Sequence, residues 1–250
     1  MICQVVFMFI SIMFAGGRGT RLNPLTETIP KPLVKVNGKP LIQWNMERVN
    51  KAVDKYLIVI SHLGDQIIDF FGYSFEGVPI EYVWQYNPKG GTLDALRTAL
   101  YESSNPEHLT ANYLIQNCDD IHGEETFKNI FDHIDLKPQI ACLMAKVVND
   151  KEKIKSFGVF RVNKDGMFIE VVEKPQEFVS NLANIAVSYF PNKMIRYVPE
   201  KIDSSEKESY ITDMYNSYSK TNPIQIISTD DTWIPIASIA DLDYANLMYQ

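Results

Sequence analysis

The fold class this sequence predicts is α/β, with helices on both faces of a mixed, mostly parallel central sheet and a β-rich portion after it. Two observations carry that reading. Apolar runs of strand length alternate with segments of helical spacing through the first half, and such alternation gives parallel strands joined by crossover helices. In the second half, strand-like runs follow one another with a hairpin turn between two of them. The chain has 250 residues, 46% hydrophobic and 22% charged, which is ordinary for a globular protein and enough for a sizeable core. Disordered, collagen-like and coiled-coil chains are excluded by that composition.

The first predicted strand is Ile10–Phe14. It closes an apolar stretch from Ile2, broken only by Gln4 and Ser11, with no charge before Arg18. The stretch is shorter than the ~20 residues that span a bilayer, and no basic segment marks a secretory signal. The first seven or so residues read as an extension ahead of the strand. Further strands are expected at Tyr56–Ile60, Ile80–Trp84 and Tyr113–Gln116. Ile42, Met46 and Val49 share a helical face before the second strand. Ile67, Ile68, Phe70 and Phe71 precede the third, and Leu93, Leu96 and Leu100 the fourth. A helix is expected over Glu124–His133. The second half offers Ile140–Val147, Gly158–Val162, Phe168–Val172 and Ala186–Phe190, with Asn163-Lys164-Asp165-Gly166 as a hairpin turn. Asp203–Glu208 reads as a polar loop. With no repeat, low-complexity tract or long linker, a single domain over residues 1–250 is expected, in two lobes of about 8–135 and about 136–250.

Lys plus Arg number 24 and Asp plus Glu 31, a net charge of −7. That argues against nucleic acid as a partner, because a phosphate backbone needs a basic face. A few local cations and backbone amides can still bind a small anion. The three cysteines, Cys3, Cys118 and Cys142, are widely spaced, which fits neither a disulfide framework nor a zinc site and points to a reducing, cytoplasmic compartment. No membrane partner is expected. His62, His108, His122 and His133 show no ligand spacing.

The first chemical motif follows the first strand directly: Ala15-Gly16-Gly17-Arg18-Gly19-Thr20-Arg21-Leu22. Three glycines in four positions allow a tight turn with positive φ and expose successive N–H groups, a concavity suited to a phosphate chain. Arg21 adds a fixed cation. No Gly-Lys-Ser/Thr follows, which excludes a Walker A loop, and Leu22 stands where a dinucleotide fingerprint needs its third glycine. Lys31 lies between Pro30 and Pro32, so its stem leaves a stiff backbone. An ammonium so held beside a phosphate loop suits a charged reaction centre.

These runs, with Pro24-Leu25-Thr26, Pro30-Lys31-Pro32-Leu33 and Gly38-Lys39-Pro40-Leu41, resemble the sugar-phosphate nucleotidylyltransferases, among them glucose-1-phosphate thymidylyltransferase and mannose-1-phosphate guanylyltransferase. The resemblance implies a Rossmann-like nucleotidyltransferase fold and a reaction: a nucleoside triphosphate and a sugar 1-phosphate give a nucleotide sugar and pyrophosphate. It implies that Ala15, Gly16, Gly17, Gly19, Thr20 and Arg21 hold the triphosphate, with Lys31 at the reacting phosphates. Gln85 and the run Pro88-Lys89-Gly90-Gly91-Thr92-Leu93-Asp94-Ala95-Leu96 resemble the base-recognition segment, so Gln85, Gly91 and Thr92 are expected at the nucleotide. In Asn117-Cys118-Asp119-Asp120 the family has Gly-Asp, with that Asp on magnesium. Asp119 takes the aspartate's place, and Cys118 the glycine's. Asp120 has a second reading, as the cap of the following helix.

Glu173-Lys174-Pro175, after Gly158-Val159-Phe160, resembles the sugar site, where the Glu accepts from sugar hydroxyls and the Lys pairs with the sugar phosphate. Asn184 falls where the family has an Asn in the sugar pocket. Tyr210-Ile211-Thr212-Asp213 resembles a short helix start. The resemblance runs through Trp233-Ile234-Pro235-Ile236 to Asn246, but Pro235 stands where the family commonly has a second metal-binding Asp. Asp230 and Asp231 lie nearby as substitutes. The catalytic set implied is Arg21, Lys31 and Asp119, with Mg2+ on Asp119 and Glu173, Lys174 and Asn184 for the sugar phosphate. A phosphocholine cytidylyltransferase would share the loop and the lysine, and would need an aromatic cage. A non-catalytic nucleotide-sugar sensor would fit Cys118 and Pro235. Base, sugar and oligomeric state are not named by the sequence, so a homo-oligomer is as open as a monomer.

Overall fold

The computed structural model describes residues 8–87, 90–105, 110–202 and 208–249. The expected extension of about seven residues, Cys3, His108 and most of the expected 203–208 loop lie outside the described residues. The first half comprises β1 (Phe9–Phe14), β2 (Lys35–Val36), β3 (Lys39–Pro40), α1 (Leu41–Val49), β4 (Lys55–Ile60), α2 (Gly64–Phe71), β5 (Ser74–Phe75), β6 (Val78–Trp84), α3 (Gly91–Tyr101), β7 (Asn112–Asn117), β8 (Asp120–His122) and α4 (Glu124–Leu136). The second half comprises β9 (Ala141–Val147), β10 (Gly158–Val162), β11 (Phe168–Glu173), β12 (Leu182–Phe190), α5 (Ile211–Tyr218), β13 (Ile224–Thr229), β14 (Trp233–Pro235) and α6 (Ile239–Met248).

The four apolar runs of the first half form the parallel centre of the sheet. β1 pairs in parallel with β4 and with β7, and β4 with β6. Both faces of β1, β4 and β7 are covered, which is why these strands read as mostly apolar runs, whereas β6 keeps Pro79 exposed and Glu81 half-buried. Ile10, Ile12 and Leu57 pack with Leu96 and Leu100 of α3 and Tyr215 of α5. Met13, Ile58 and Ile60 pack with Met46 of α1, Ile67 of α2 and Phe127 of α4. The result is the three-layer α/β arrangement. Within α2, Phe70 departs from the expected face and is 49% exposed.

β12 joins the second half to this centre. It runs antiparallel to β7 on one side and to β9 on the other. β10 adds through Val159 opposite Ala183, and β11 completes the expected hairpin with Gly158 opposite Glu173. Parallel to β9 lies β13, which the sequence reading did not mark. Between Asn184 and Ser188 the register of β12 against β9 shifts, and Ala186 there has φ 57°. Asn184 Oδ1 accepts the Ala186 N–H at 3.0 Å and fixes this bulge.

The parallel strands end at Phe14, Ile60, Trp84 and Asn117. The loops that follow them therefore gather at one rim, where open α/β sheets take ligands. Apart from the main sheet, β8 pairs with β14, placing Pro235 opposite Asp120. No described helix is long and apolar enough to cross a membrane.

Candidate active site

The loop after β1 is tied at its start, where the buried Ala15 donates its N–H to Val59 O at 2.8 Å. Of its three glycines only Gly19 has positive φ, 63°. Gly16 needs its missing side chain for another reason: a Cβ there would lie 3.1 Å from Ser61 Cβ. Gly17 meets nothing and simply leaves the loop open. At Gly19 a Cβ would come within 3.0 Å of Lys31 Cβ, and Thr26 Oγ1 donates to Gly19 O at 2.8 Å. The glycine loop and the lysine are thus packed as one unit.

Lys31 opens a 3-10 turn, Lys31–Leu33, and is 8% exposed rather than lying at the surface. Its Nζ donates to Asp119 Oδ2 at 2.7 Å. Around this pair is a cavity of ≈ 360 Å³ lined by Arg21, Lys31, Asp119, Lys153, Trp233 and Pro235, among others. The adjacent carboxylates divide their partners. Asp120 accepts from Trp233 Nε1 at 2.9 Å. Burial, reinforced by the Asp119 charge, pushes its pKa up to about 7. Asp120 is not the cap of α4. That role belongs to Asp231, whose Oδ2 accepts the Thr126 N–H at 3.0 Å. A Cβ on Gly123 would strike Asp231 Oδ1 at 2.1 Å, so a larger residue there would displace the capping carboxylate. Capping commits Asp231, while Asp230 is exposed and does not line the cavity. Cys118 turns away from the cleft into the core with Met13 and Ala15, and burial pushes its thiol pKa well up.

A second cleft, ≈ 460 Å³, lies between the Gly loop, the end of β4 and the start of α3, with Gly16, Gly17, Thr20, Gln85, Gly91 and Thr92 on its wall. Gly91 has φ 70°, and a Cβ there would meet Ser209 O at 2.3 Å. Thr92 Oγ1 accepts the Ile211 N–H at 2.9 Å, pinning α3 against the entry to α5. Gln85 Nε2 donates to Asp94 Oδ2 at 2.9 Å and to Gly91 O at 3.0 Å. A carboxylate and a carbonyl only accept, so the amide orientation is fixed and Oε1 remains as an acceptor. Pro88 and Lys89 of the quoted run lie outside the described residues.

Beyond Asn117 lies a third cavity of ≈ 210 Å³, lined by Asp120, Glu173, Lys174, Asn184, Tyr210 and Tyr215, among others. Gly158 makes room for Glu173, since a Cβ there would lie 2.9 Å from its Oε1. Burial raises the Glu173 pKa, with Lys174 pulling the other way. Lys174 has φ 43°, and its Nζ lies 5.5 Å from the Tyr210 ring centroid. Asn184 spends its Oδ1 on the bulge and lines this cavity.

The residues expected at the site therefore converge on one rim. Some lining residues were not singled out from the sequence. Arg18, Ser61 and His62 line the first-described loop's cleft, and Lys153 lines the cavity around Lys31. Asn117 is common to the cavity around Lys31 and the third cavity. For Ser61 and His62 the signal was available, because they follow a parallel strand at its carboxyl end.

Over residues 10–250 the sequence matches the nucleotidyl transferase family, and the chain belongs to it. It is 28% identical over 236 residues to the bifunctional protein GlmU of Methanococcus aeolicus, covering 94% of this chain and 53% of that protein. The chain thus spans about half the length of the GlmU relatives it matches. To the UTP–glucose-1-phosphate uridylyltransferase AglF of Haloferax volcanii it is 31% identical, over 69% of this chain and 68% of that protein. The fold superposes on a UDP-glucose pyrophosphorylase solved with UDP-glucose, with a TM-score of 0.84, 22% identity, and 97% and 98% of the two chains covered. That last likeness concerns the fold.

Proposed function

We propose that this protein transfers a nucleoside monophosphate from a nucleoside triphosphate to a sugar 1-phosphate, releasing pyrophosphate. The observation that supports the reading is that Arg21, Lys31 and Asp119 line a cavity that shares Asn117 and Asp120 with the one bearing Glu173, Lys174 and Asn184, while Lys31 packs on the Gly loop that walls the other cleft. A sugar-phosphate oxygen attacks the α-phosphorus in line, the P–O bond to the β-phosphate breaks, and pyrophosphate leaves with that electron pair. The nucleophile is already an anion, so positioning and charge neutralisation suffice. In this reading the loop amides and Arg21 hold the β- and γ-phosphates, Lys31 serves the α-phosphate, and Lys174 holds the incoming phosphate. The nucleotide lobe is about 8–135 and the sugar-phosphate lobe about 136–250.

Asp119 would hold Mg2+. Its side chain is 38% exposed to the cleft and only Oδ2 is bonded, to Lys31. Among the described residues no group of three or more His, Cys, Asp or Glu could hold a metal by itself. Magnesium commonly takes one or two carboxylates and completes its shell with water and substrate phosphate, and the donor set fits that arrangement. When bound, the ion would supply neutralisation of the departing pyrophosphate.

Gln85 supports a base that offers an imino N–H to its free Oε1: uracil, thymine or guanine. Cytosine and adenine present a ring nitrogen acceptor at that position and could reach Oε1 only through the exocyclic amino group. UTP and glucose 1-phosphate, named in the AglF relative, are the first pair to try. The choline reading is weakened because Lys174 already lies over Tyr210, where a quaternary ammonium would need the ring. The sensor reading is weakened because Cys118 does not intrude on the cleft. A matrix of the nucleoside triphosphates against sugar 1-phosphates with Mg2+, read as pyrophosphate release, tests the proposal. Turnover with UTP, dTTP or GTP is expected. Binding without release for every pair refutes the transfer, and a preference for CTP or ATP refutes the Gln85 assignment.

A further inference from the structure

Two polar side chains, Asn45 and His122, are fully buried and line none of the three cavities. Asn45 sits on α1 beside Met46 and Val49. Its Nδ2 donates to Asp120 O at 2.8 Å and to Asn117 O at 3.3 Å. Those carbonyls bracket Cys118-Asp119, so a single amide pins both ends of the turn that presents the Asp119 carboxylate.

His122 continues the same strand. Its Nε2 donates to Ile185 O at 2.8 Å. Ile185 stands between Asn184 and Ala186, the two bulge residues on the wall of the sugar-phosphate cavity. Burial lowers the His122 pKa to about 4 and keeps the ring neutral. Its Nδ1 lies 3.3 Å from Asn45 Oδ1, so the two side chains meet. Apolar side chains would fill this space without the cost of burying polar groups. What Asn and His add is directed donation to three backbone carbonyls, two at the Asp119 turn and one at the bulge.

We infer that Asn45 and His122 are positioning residues that hold the Asp119 carboxylate and the Asn184–Ala186 bulge at one fixed separation, Asn45 through the turn and His122 through β12. This rests on the proposed transfer reaction, which gives Asp119 and Asn184 their roles. Asn45 acts on the side facing the metal and nucleotide, and His122 on the side facing the sugar phosphate, so their loss should appear in different measurements.

The test uses the full chain with Mn2+ as metal probe, followed by electron paramagnetic resonance in the presence of UTP. Glucose 1-phosphate binding is followed by calorimetry, and melting temperature is recorded for every variant. Asn45→Ala should weaken Mn2+ binding about 10-fold, the scale of losing an outer-shell partner of a ligand, with little change for glucose 1-phosphate. His122→Phe should weaken glucose 1-phosphate binding by a similar factor while leaving Mn2+ near the unmodified value. His122→Gln, whose amide can donate to Ile185 O, should recover most of that loss. Should Asn45→Ala fail to fold, Asn45→Ser, which keeps one donor, decides by the same criterion. Folded variants that melt earlier but keep both affinities overturn the inference, as does an equal loss of both ligands in both variants. Unmodified protein that binds both probes yet releases no pyrophosphate refutes the transfer reaction and leaves the positioning comparison standing. Unmodified protein that binds neither probe overturns both.

Discussion

Replacing Lys31 by methionine removes a charge while keeping most of the stem volume. Lys31 is 8% exposed, and its Nζ lies 2.7 Å from an Asp119 side chain that is 38% exposed. At an effective dielectric of about 20 the bare attraction at that distance is on the order of 6 kcal/mol. Desolvating the nearly buried ammonium cancels most of it. Water reaching Asp119 screens much of the remainder, which leaves a net stabilisation of ~1 kcal/mol. Lys31→Met should therefore move the melting temperature by only ~2–4 °C. Turnover should respond on another scale, falling at least ~100-fold, as when one preorganised charge contact to a transition state is lost. Asp119→Asn gives the contrasting result. It strands the Lys31 ammonium without its anion and should cost about 1–3 kcal/mol of stability, together with most of the activity. Pyrophosphate release with UTP, glucose 1-phosphate and Mg2+, paired with thermal melts, separates the two effects. Near-normal turnover in Lys31→Met would refute the assignment of Lys31 to the reacting phosphates. A melting loss in Lys31→Met as large as that in Asp119→Asn would refute the charge accounting.

Three other outcomes are expected. Asp231→Ala should lose ~1 kcal/mol, the usual cost of a helix cap, and leave the Mg2+ requirement unchanged; a sharply raised requirement would make Asp231 a metal ligand instead. Gly91→Ala puts a Cβ 2.3 Å from Ser209 O at a position with φ 70°, and should reduce UTP affinity in a calorimetric titration by displacing the start of α3. At Glu81, burial opposes ionisation, but hydrogen bonds from Lys55, Ser103 and Ser104 outweigh it and hold the pKa at about 2, against an ordinary 4.5. A carboxyl depressed in the folded state stabilises fully above its ordinary pKa and loses that contribution as the pH falls towards the folded value. Urea midpoints should accordingly fall from pH 5 towards pH 2, less steeply in Glu81→Gln.

Much of this architecture could be read from the residues. The inner parallel strands β1, β4 and β7 announced themselves because both their faces are buried, so Tyr56–Ile60 carries no polar alternation. Glycine spacing marked the loop after β1, but not the reason for each glycine. Only Gly19 needs its φ, whereas Gly16 yields to Ser61 across the sheet, a contact no local pattern encodes. Burial of Lys31 was equally hidden, since its partner Asp119 is 88 residues away. The second reading of Asp120, as the cap of α4, fails because the chain supplies that cap from Asp231 after β13. Asn45 and His122 carry no sequence signal, because their partners are backbone atoms brought close only by the fold.

The two described cysteines give this protein an internal clock. Cys118 is 1% exposed and Cys142 is fully covered, and burial raises both thiol pKa values. A thiol reagent added to folded protein therefore reads openings of the structure rather than its surface, once Cys3 has been replaced by serine. The two sulfurs time different events. Cys142 lies within β9 and reports on the sheet itself, while Cys118 sits in the turn that carries Asp119, secured by its N–H to Phe14 O at 3.3 Å. Modification of Cys118 ahead of Cys142 would measure how often that turn opens on its own, and slowing of that reaction by an added nucleotide would turn a buried sulfur into a gauge of occupancy for the cleft in front of it.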